Sequence, residues 1–248
     1  MNRTPWTSQS DYLRRFEWGP SGSEVLAEAE SYLVVVDVLR FTTAVEAGVS
    51  RGAIVYPYQW KDASARSFAD AIGAQLADGP CADGVSLSPV ALLNQPTLDV
   101  VVLPSPNGST CSLLAAQAGA MVVAACLRNA PAVAKFLTTT PLPVSVIACG
   151  ERWPDGSLRP SLEDLLGAGA VLSHLGGDLS PEAAAAATAW EEARDKISDV
   201  LLQCSSGREL AERGWRDDID YASAFGVSDV VPVLVDGAFR RAHELSGR

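Results

Sequence analysis

The sequence has almost no histidine. Its 248 residues contain only His174 and His243, and both lie in stretches with helical periodicity. A Ser-His-Asp triad requires a histidine as its base, and a histidine-rich metal site requires several. The composition therefore argues against both kinds of site.

Cysteine motifs and long apolar runs are also missing. The five cysteines are Cys81, Cys111, Cys126, Cys149 and Cys204. None forms a C-x-x-C pair, which argues against zinc ribbons and thioredoxin-like sites, and we expect them to be core residues. Residues 1–16 are polar, and no apolar run reaches the ~18 residues needed to cross a membrane. We therefore expect no signal peptide, no membrane association and a reducing cytoplasmic location.

Positive charge is in short supply. Lysine and arginine number 19 against 30 aspartates and glutamates, which gives a net charge of −11. Such a surface repels nucleic acid and anionic membranes, so neither is an expected partner. A site for a small anion would have to be a local cavity built from backbone N–H groups, arginines or a metal ion. The oligomeric state stays open, with a homodimer as one option.

What the sequence does contain is a regular alternation of strand and helix patterns, which predicts one α/β domain over residues 1–248. Valine-rich runs without alternation are typical of buried parallel strands. The predicted strands are Leu33–Val38, Ala53–Tyr58, Val100–Leu103, Met121–Ala125, Val144–Ala148 and Val230–Val235. The predicted helices are Thr42–Ala47, Asp62–Ile72, Ser109–Ala118, Ala130–Leu137, Ser161–His174, Pro181–Cys204 and Ser206–Gly214. This order favours a mostly parallel sheet with helices on both faces, a three-layer α/β/α fold.

Two of these elements carry more specific expectations. Pro232 cannot donate a ladder hydrogen bond, so Val230–Val235 is expected at an edge of the sheet. Pro181–Cys204 is expected to be the longest helix, starting at the N-cap Ser180 with proline at its first position. Its apolar stripe is typical of a packing helix.

Ligands of open parallel sheets bind beyond the carboxyl ends of the strands, and three polar clusters follow predicted strands. The first cluster contains Asp37 and Arg40, at the end of the predicted strand Leu33–Val38. Asp37 could bind a metal or act as a nucleophile, and the guanidinium of Arg40 suits phosphate. An alternative is that Asp37 and Arg40 pair with each other and organise a turn.

The second cluster is the loop from Ser105 to Ser109, which opens a helix. Gly108 lets the backbone come close to a ligand, and free N–H groups at a helix N-terminus bind anions. Asn107 and Ser109 add polar side chains. The spacing is not that of a Walker loop. The alternative is an ordinary turn with a serine N-cap.

The third cluster runs from Glu151 to Asp164. Glu151, Glu163 and Asp164 could supply oxygen ligands for Mg²⁺, which takes few carboxylates and keeps its waters. Arg152 and Arg159 are candidate donors to phosphate or another acid group. The alternative for Asp164 is structural, because Ser161 and Asp164 match the capping-box pattern.

Taken in order, these clusters resemble the 2-phosphosulfolactate phosphatase family of coenzyme M biosynthesis. The matching segments are VVVDVLRFTT at 34–43, SPNGST at 105–110 and CGERWPDGSLRPSLEDLLGAGA at 149–170, with weaker matches SLSP at 86–89 and GREL…DIDYASAF within 207–225. One segment departs from the family pattern, since residues 77–85 are short and lack an arginine. The acid part of the substrate could therefore differ.

The resemblance implies a phosphoric monoester hydrolase that uses Mg²⁺ to convert 2-phosphosulfolactate into sulfolactate and phosphate. It implies catalytic roles for Asp37, Arg40 and Glu163, and metal ligation by Asp37, Glu163 and Asp164. The residues implied to bind the small anionic phosphorylated substrate are Ser105, Asn107, Gly108, Ser109 and Arg152. Two alternatives stay open: a phosphatase for another phosphorylated hydroxy or sugar acid, and a non-catalytic module that binds phosphorylated metabolites.

Overall fold

The fold is built on one large sheet, seen in a computed structural model that describes residues 4–79 and 85–242. The strands in the described chain are β1 Arg14–Trp18, β2 Tyr32–Val36, β3 Ile54–Tyr58, β4 Gln75–Leu76, β5 Val100–Pro104, β6 Met121–Ala125, β7 Val144–Ala148, β8 Glu151–Arg152, β9 Leu158–Arg159, β10 Pro232–Val235 and β11 Ala238–Arg241. Nine of them form the sheet in the order β1-β7-β2-β6-β10-β11-β3-β5-β4, and β8 and β9 pair separately as a small hairpin.

The sheet consists of two parallel halves joined by an antiparallel hairpin. Strands β1, β7, β2 and β6 are mutually parallel, as are β3, β5 and β4. Strand β10 is antiparallel to β6, and β11 is antiparallel to both β10 and β3. Three successive reversals make the two halves run in opposite directions.

Helices cover both faces of this sheet. They are α1 Gly19–Leu26, α2 Phe41–Ser50, α3 Ala63–Ile72, α4 Pro89–Leu93, α5 Gly108–Gln117, α6 Ala130–Thr138, α7 Leu162–Leu175, α8 Pro181–Ala193, α9 Ile197–Gln203, α10 Ser205–Glu212 and α11 Arg216–Ser223. Val34 and Val36 of β2 belong to a core shared with α6, α7 and α8, while Leu33 and Val35 belong to a core shared with α2 and α5. The predicted α/β/α fold class is confirmed, because both faces of the central strands are buried.

Most predicted elements are present with small shifts at their ends. The strands Met121–Ala125 and Val144–Ala148 have the predicted bounds. The N-cap of α8 is confirmed, since the Ser180 side chain accepts a hydrogen bond from the Ala183 N–H at 3.1 Å. The four described cysteines are buried free thiols, as expected for core residues. Cys81 and His243 lie outside the described residues, as do residues 80–84 of the segment that departs from the family pattern.

The expected edge position of the strand containing Pro232 is wrong. Strand β10 lies inside the sheet, between β6 and β11. Pro232 is its first residue, and the only register pair between β10 and β6 is Val233 with Val123. A proline at a strand's first position removes no ladder bond that the sheet needs, so an interior location is tolerated.

The expected long helix over Pro181–Cys204 is also wrong. It is interrupted by a 3₁₀ turn at Arg194–Lys196, and the longest helix is instead α7, with 14 residues. Neither proline nor glycine causes the break. The turn consists of three charged residues, none of them buried, while Trp190 and Leu201 on either side are completely buried. Burial of the apolar residues on both sides of the turn therefore outweighs the local preference for one continuous helix over Pro181–Cys204.

Several short elements have no counterpart among the predictions: β1, β4, β8, β9, β11, α1, α4 and α11. Helices α4 and α11 matter below because they contribute residues near the candidate site. No helix in the described parts of the chain combines the length and apolar character needed to span a membrane.

Candidate active site

Asp37 connects the first two polar clusters. It follows β2 and is 6% exposed. One of its carboxylate oxygens accepts the Phe41 N–H at 3.1 Å, and the other accepts the Gly108 N–H at 3.1 Å. Burial, followed by the nearby charge of Glu151, raises the pKa of Asp37 to about 7, although the two N–H donors oppose this shift. The carboxyl group is therefore poised to exchange a proton near neutral pH.

Gly108 is required by this close approach. A Cβ at this position would lie 2.1 Å from Cδ1 of Phe41 and 2.9 Å from Oδ2 of Asp37. The sequence predicts a glycine that lets the backbone approach an anion. In the structure the anionic neighbour of its N–H is the Asp37 carboxylate.

The other residues of this loop are held by internal hydrogen bonds. Ser105 is buried, and its N–H donates to the Tyr58 carbonyl at 2.9 Å. The Ser109 hydroxyl donates to the Leu103 carbonyl at 3.1 Å and accepts the Tyr58 N–H at 3.1 Å. The alternative of a serine N-cap is wrong, because Asn107 is the N-cap residue and makes no side-chain capping bond. Ser105 and Ser109 thus fix the end of β5 against β3.

Asp164 ties the third cluster to the first. Its two oxygens accept the N–H groups of Val38 and Gly150, each at 2.8 Å. The capping-box interpretation is wrong: Ser161 is the N-cap of α7 but makes no side-chain capping bond. Burial and the charge of Asp37 raise the pKa of Asp164 well above its usual range.

Four acidic side chains thus share one region: Asp37, Glu151, Glu163 and Asp164. Glu163 is buried, and its charge raises the pKa of Asp37, Glu151 and Asp164, which places it among them. Burial also raises the pKa of Glu151, which accepts a hydrogen bond from the Asn107 amide at 2.9 Å. Within the described chain, none of the four is in an ion pair with lysine or arginine. The charge of Arg159 partly offsets the rise in the pKa of Glu151. The raised pKa values mean that the folded protein holds protons on this cluster more tightly than free carboxyl groups would.

Arg40 does not pair with Asp37, so that alternative is wrong. Its Nη1 lies 2.6 Å from Oδ2 of Asp218, on α11, and its guanidinium stacks over the ring of Trp215, 4.2 Å from the ring centroid. Asp37 has its own backbone donors, and the Arg40 guanidinium contacts Asp218 and Trp215 instead. Neither Asp218 nor Trp215 is among the predicted site residues.

A cavity of about 380 Å³ brings the basic residues together. Five cationic side chains line it: Arg40, Lys61, Arg152, Arg159 and Arg213. Glu151 lines the same cavity, so it connects the basic wall with the acidic cluster. Local positive charge in a protein of net charge −11 is what the sequence requires of an anion site.

The predicted residues divide into two groups at this cavity. Arg40 and Arg152 line it, and Asn107 reaches it through Glu151 and also lines a neighbouring cavity of about 320 Å³. Ser105, Gly108, Ser109 and the acids Asp37, Glu163 and Asp164 lie outside its lining. Lys61 and Arg213 are missing from the prediction, and the only signal for them is their charge, which many surface residues share.

The acids fit a magnesium ion only in a limited sense. Among residues 4–79 and 85–242, no group of three or more histidines, cysteines, aspartates or glutamates is arranged to hold a metal. The predicted set of Asp37, Glu163 and Asp164 thus does not form a ready-made three-ligand site. Mg²⁺ commonly binds through one or two carboxylates and completes its shell with water and substrate oxygens. Buried acids that form no ion pair with lysine or arginine in the described chain, beside an anion cavity, meet that weaker requirement.

Known proteins give an independent comparison. The family model described as 2-phosphosulpholactate phosphatase matches residues 22–237. A protein of Carboxydothermus hydrogenoformans named probable 2-phosphosulfolactate phosphatase is 31% identical, covering 84% of this chain and 89% of its own. The 2-phosphosulfolactate phosphatase of Methanothermobacter thermautotrophicus is 27% identical, covering 88% and 93%. With nearly the whole chain matched, the resemblance found in the motifs is confirmed, and the chain belongs to the 2-phosphosulpholactate phosphatase family.

Proposed function

We propose that this protein is a phosphoric monoester hydrolase that converts 2-phosphosulfolactate into sulfolactate and phosphate with the help of Mg²⁺. One observation carries the proposal: the basic cavity and the acidic cluster meet at Glu151. A phosphate ester needs cationic donors for its oxygens and carboxylates for proton or metal chemistry. The names of the relatives support the same substrate.

The basic side chains bind and orient the anionic groups. Arg40 and Arg152 donate to phosphoryl oxygens, since planar guanidinium groups match the geometry of phosphate. Lys61, Arg159 and Arg213 surround the remaining acid groups of the substrate. Fixed donors that face the developing charge lower the barrier for phosphoryl transfer.

Asp37 and Glu163 are the proposed protein ligands of magnesium; each oxygen of Asp37 accepts one backbone N–H, which leaves it further lone pairs. Asp164, whose oxygens accept the Val38 and Gly150 N–H groups, is proposed to brace the loops. The ion would supply positive charge to the phosphoryl oxygens. In one route Asp37 attacks phosphorus, the ester P–O bond breaks, and water then hydrolyses the phospho-aspartate. In the other, a carboxylate takes a proton from water as that water attacks phosphorus, the ester P–O bond breaks, and the leaving oxygen takes up a proton to give sulfolactate.

A substrate panel tests this function. The purified protein is assayed for phosphate release from 2-phosphosulfolactate, 2-phospholactate and 2-phosphoglycerate, each with Mg²⁺ and with EDTA. We expect the highest kcat/KM with 2-phosphosulfolactate and loss of turnover in EDTA. A preference for either of the other esters would support a different phosphatase substrate. Tight phosphate binding without turnover of any ester would support a non-catalytic binding module.

We further propose a reducing, cytoplasmic setting. The four described cysteines are all free. Host cells are denatured directly in an alkylating reagent, and mass spectrometry counts the alkylated cysteines of this protein. We expect all five to be alkylated, and a disulfide would contradict the reducing setting.

A further inference from the structure

We propose that Asp218 is a positioning residue, which holds the guanidinium of Arg40 in the orientation that binds the phosphoryl group. The inference rests on the proposed function and deepens it. It also gives a role to two segments that the function leaves unused, SLSP at 86–89 and DIDYASAF at 218–225.

The contact between Asp218 and Arg40 is buried and short. Asp218 is 2% exposed, and its Oδ2 lies 2.6 Å from Nη1 of Arg40, whose side chain is 15% exposed. Trp215 covers the flat face of the same guanidinium. One carboxylate contact and one stacked ring together restrict both the direction of the guanidinium and its rotation.

The carboxylate itself is anchored from the other side. Its Oδ1 accepts the Ser88 hydroxyl at 2.5 Å and, more weakly, the Val90 N–H at 3.4 Å. Ser88 also caps α4 by accepting the Ala91 N–H at 3.0 Å. Two segments distant in sequence from Arg40 therefore fix its position: the start of α4 and the start of α11.

This arrangement leaves donors available to a ligand. Across the described residues, Arg40 makes no side-chain hydrogen bond other than the one to Asp218, so Nε and Nη2 keep free N–H groups. Arg40 lines the basic cavity and a second cavity beside it. A buried ion pair adds little net stability, because desolvation offsets the attraction. We therefore assign to the Asp218–Arg40 ion pair a role in orienting the Arg40 guanidinium and not in stabilising the fold.

One substitution distinguishes a role of Asp218 in orienting Arg40 from an effect of its charge alone, because the two explanations predict opposite changes in phosphate affinity. Asp218→Asn removes a negative charge next to a phosphate-binding arginine, so charge alone predicts tighter binding of phosphate. Loss of orientation predicts weaker binding. Asp217→Asn is the matched control, because it removes the same charge from the neighbouring, exposed position of α11.

The experiment measures kcat/KM for 2-phosphosulfolactate and, by calorimetry, the Kd for inorganic phosphate. For Asp218→Asn we expect kcat/KM to fall about 10- to 100-fold and the phosphate Kd to rise, with Asp217→Asn unchanged. In an Arg40→Ala background, Asp218→Asn should have little further effect on phosphate binding. An equal loss in both backgrounds, or phosphate binding by Asp218→Asn as tight as that of the wild type, would overturn the proposal.

Two further comparisons separate failure of this inference from failure of the variant to fold and from failure of the proposed function. If Asp218→Asn does not fold, Ser88→Ala removes one anchor of the carboxylate and should weaken phosphate binding to a smaller degree; unchanged binding would overturn the inference. If the wild type hydrolyses no ester, the proposed function fails, while phosphate binding by the variants still decides the role of Asp218.

Discussion

Asp37 shows how much chemistry can depend on one side chain. It is buried, it accepts two backbone N–H groups from different loops, and three other acids lie near it. The sequence identifies Asp37 from its position after a valine-rich strand. The backbone donors and the burial that raise its pKa depend on residues distant in sequence, so the pattern of neighbouring residues cannot reveal them.

Replacement of Asp37 should abolish turnover. Asp37→Asn removes the charge and turns an amide N–H₂ toward the Phe41 or Gly108 N–H, so kcat should fall at least about 1,000-fold. Asp155→Asn is the control, because Asp155 is exposed on the β8–β9 hairpin and bonds only to Ser157. Phosphate release at saturating 2-phosphosulfolactate with Mg²⁺ is the measurement, and a near-normal kcat would exclude the assigned role.

The acidic cluster should also make stability depend on pH. Folding raises the pKa of Asp37 from 3.8 to about 7, so the folded protein binds this proton more tightly than the unfolded chain does. The contribution of Asp37 to the free energy of unfolding is fully present below about pH 4 and is lost as the pH rises to about 7. The raised pKa values of Asp164 and Glu151 act in the same direction.

We therefore expect the free energy of unfolding of the metal-free protein to fall by a few kcal/mol, in order of magnitude, between about pH 5 and about pH 8. Urea titrations in the presence of EDTA measure it. Asp37→Asn should show a flatter dependence. Stability that increases over this interval would contradict the raised pKa values.

At the scale of elements, the site is a junction of three strand-end loops. Asp37 binds the first turn of α5, and Asp164 at the start of α7 binds the loops after β2 and β7. The sequence correctly identifies the three loops as polar strand ends. The contact between Asp37 and Gly108 joins the two halves of the sheet, because β2 and β5 belong to halves of opposite direction.

Alanine substitutions at two glycines should distinguish a loss of stability from a loss of catalytic activity. Gly108→Ala places a methyl group against Phe41 and Asp37, so it should reduce stability by about 1–3 kcal/mol and also reduce kcat/KM. Gly169→Ala places a methyl group 2.1 Å from the Ala186 carbonyl of α8 and should affect stability alone. Thermal unfolding and kcat/KM of the folded fraction test both variants. Normal kcat/KM for Gly108→Ala would mean that this contact is not needed for catalysis.

At the scale of the whole molecule, the β10–β11 hairpin holds the two halves of the sheet together. Phe239 of β11 is completely buried and packs against Phe41, with ring centroids 6.3 Å apart. The longer strands of the parallel halves and most of their helices are predictable from local periodicity, whereas the edge strands β1 and β4 are not. The central hairpin is not, because Pro232 indicates an edge and the short run at 238–241 contains two arginines.

The prediction of a single domain can be tested through this hairpin. We expect calorimetry to show one cooperative unfolding transition, and Phe239→Ala to lower its stability by about 3–5 kcal/mol without splitting it. Phe136→Ala is the control, since Phe136 is 38% exposed on α6 and should have a much smaller effect. Two separate transitions in the wild type would mean that the halves are independent units.

The place of the hairpin in the chain has a consequence for biosynthesis. Strands β6 and β3 emerge from the ribosome more than 100 residues before the segment that pairs with both of them. Until residues 232–241 appear, each of these strands presents an open edge that can pair with other nascent chains. The order of translation thus makes the middle of the finished sheet the last part to close, and makes chaperone protection most valuable late in synthesis.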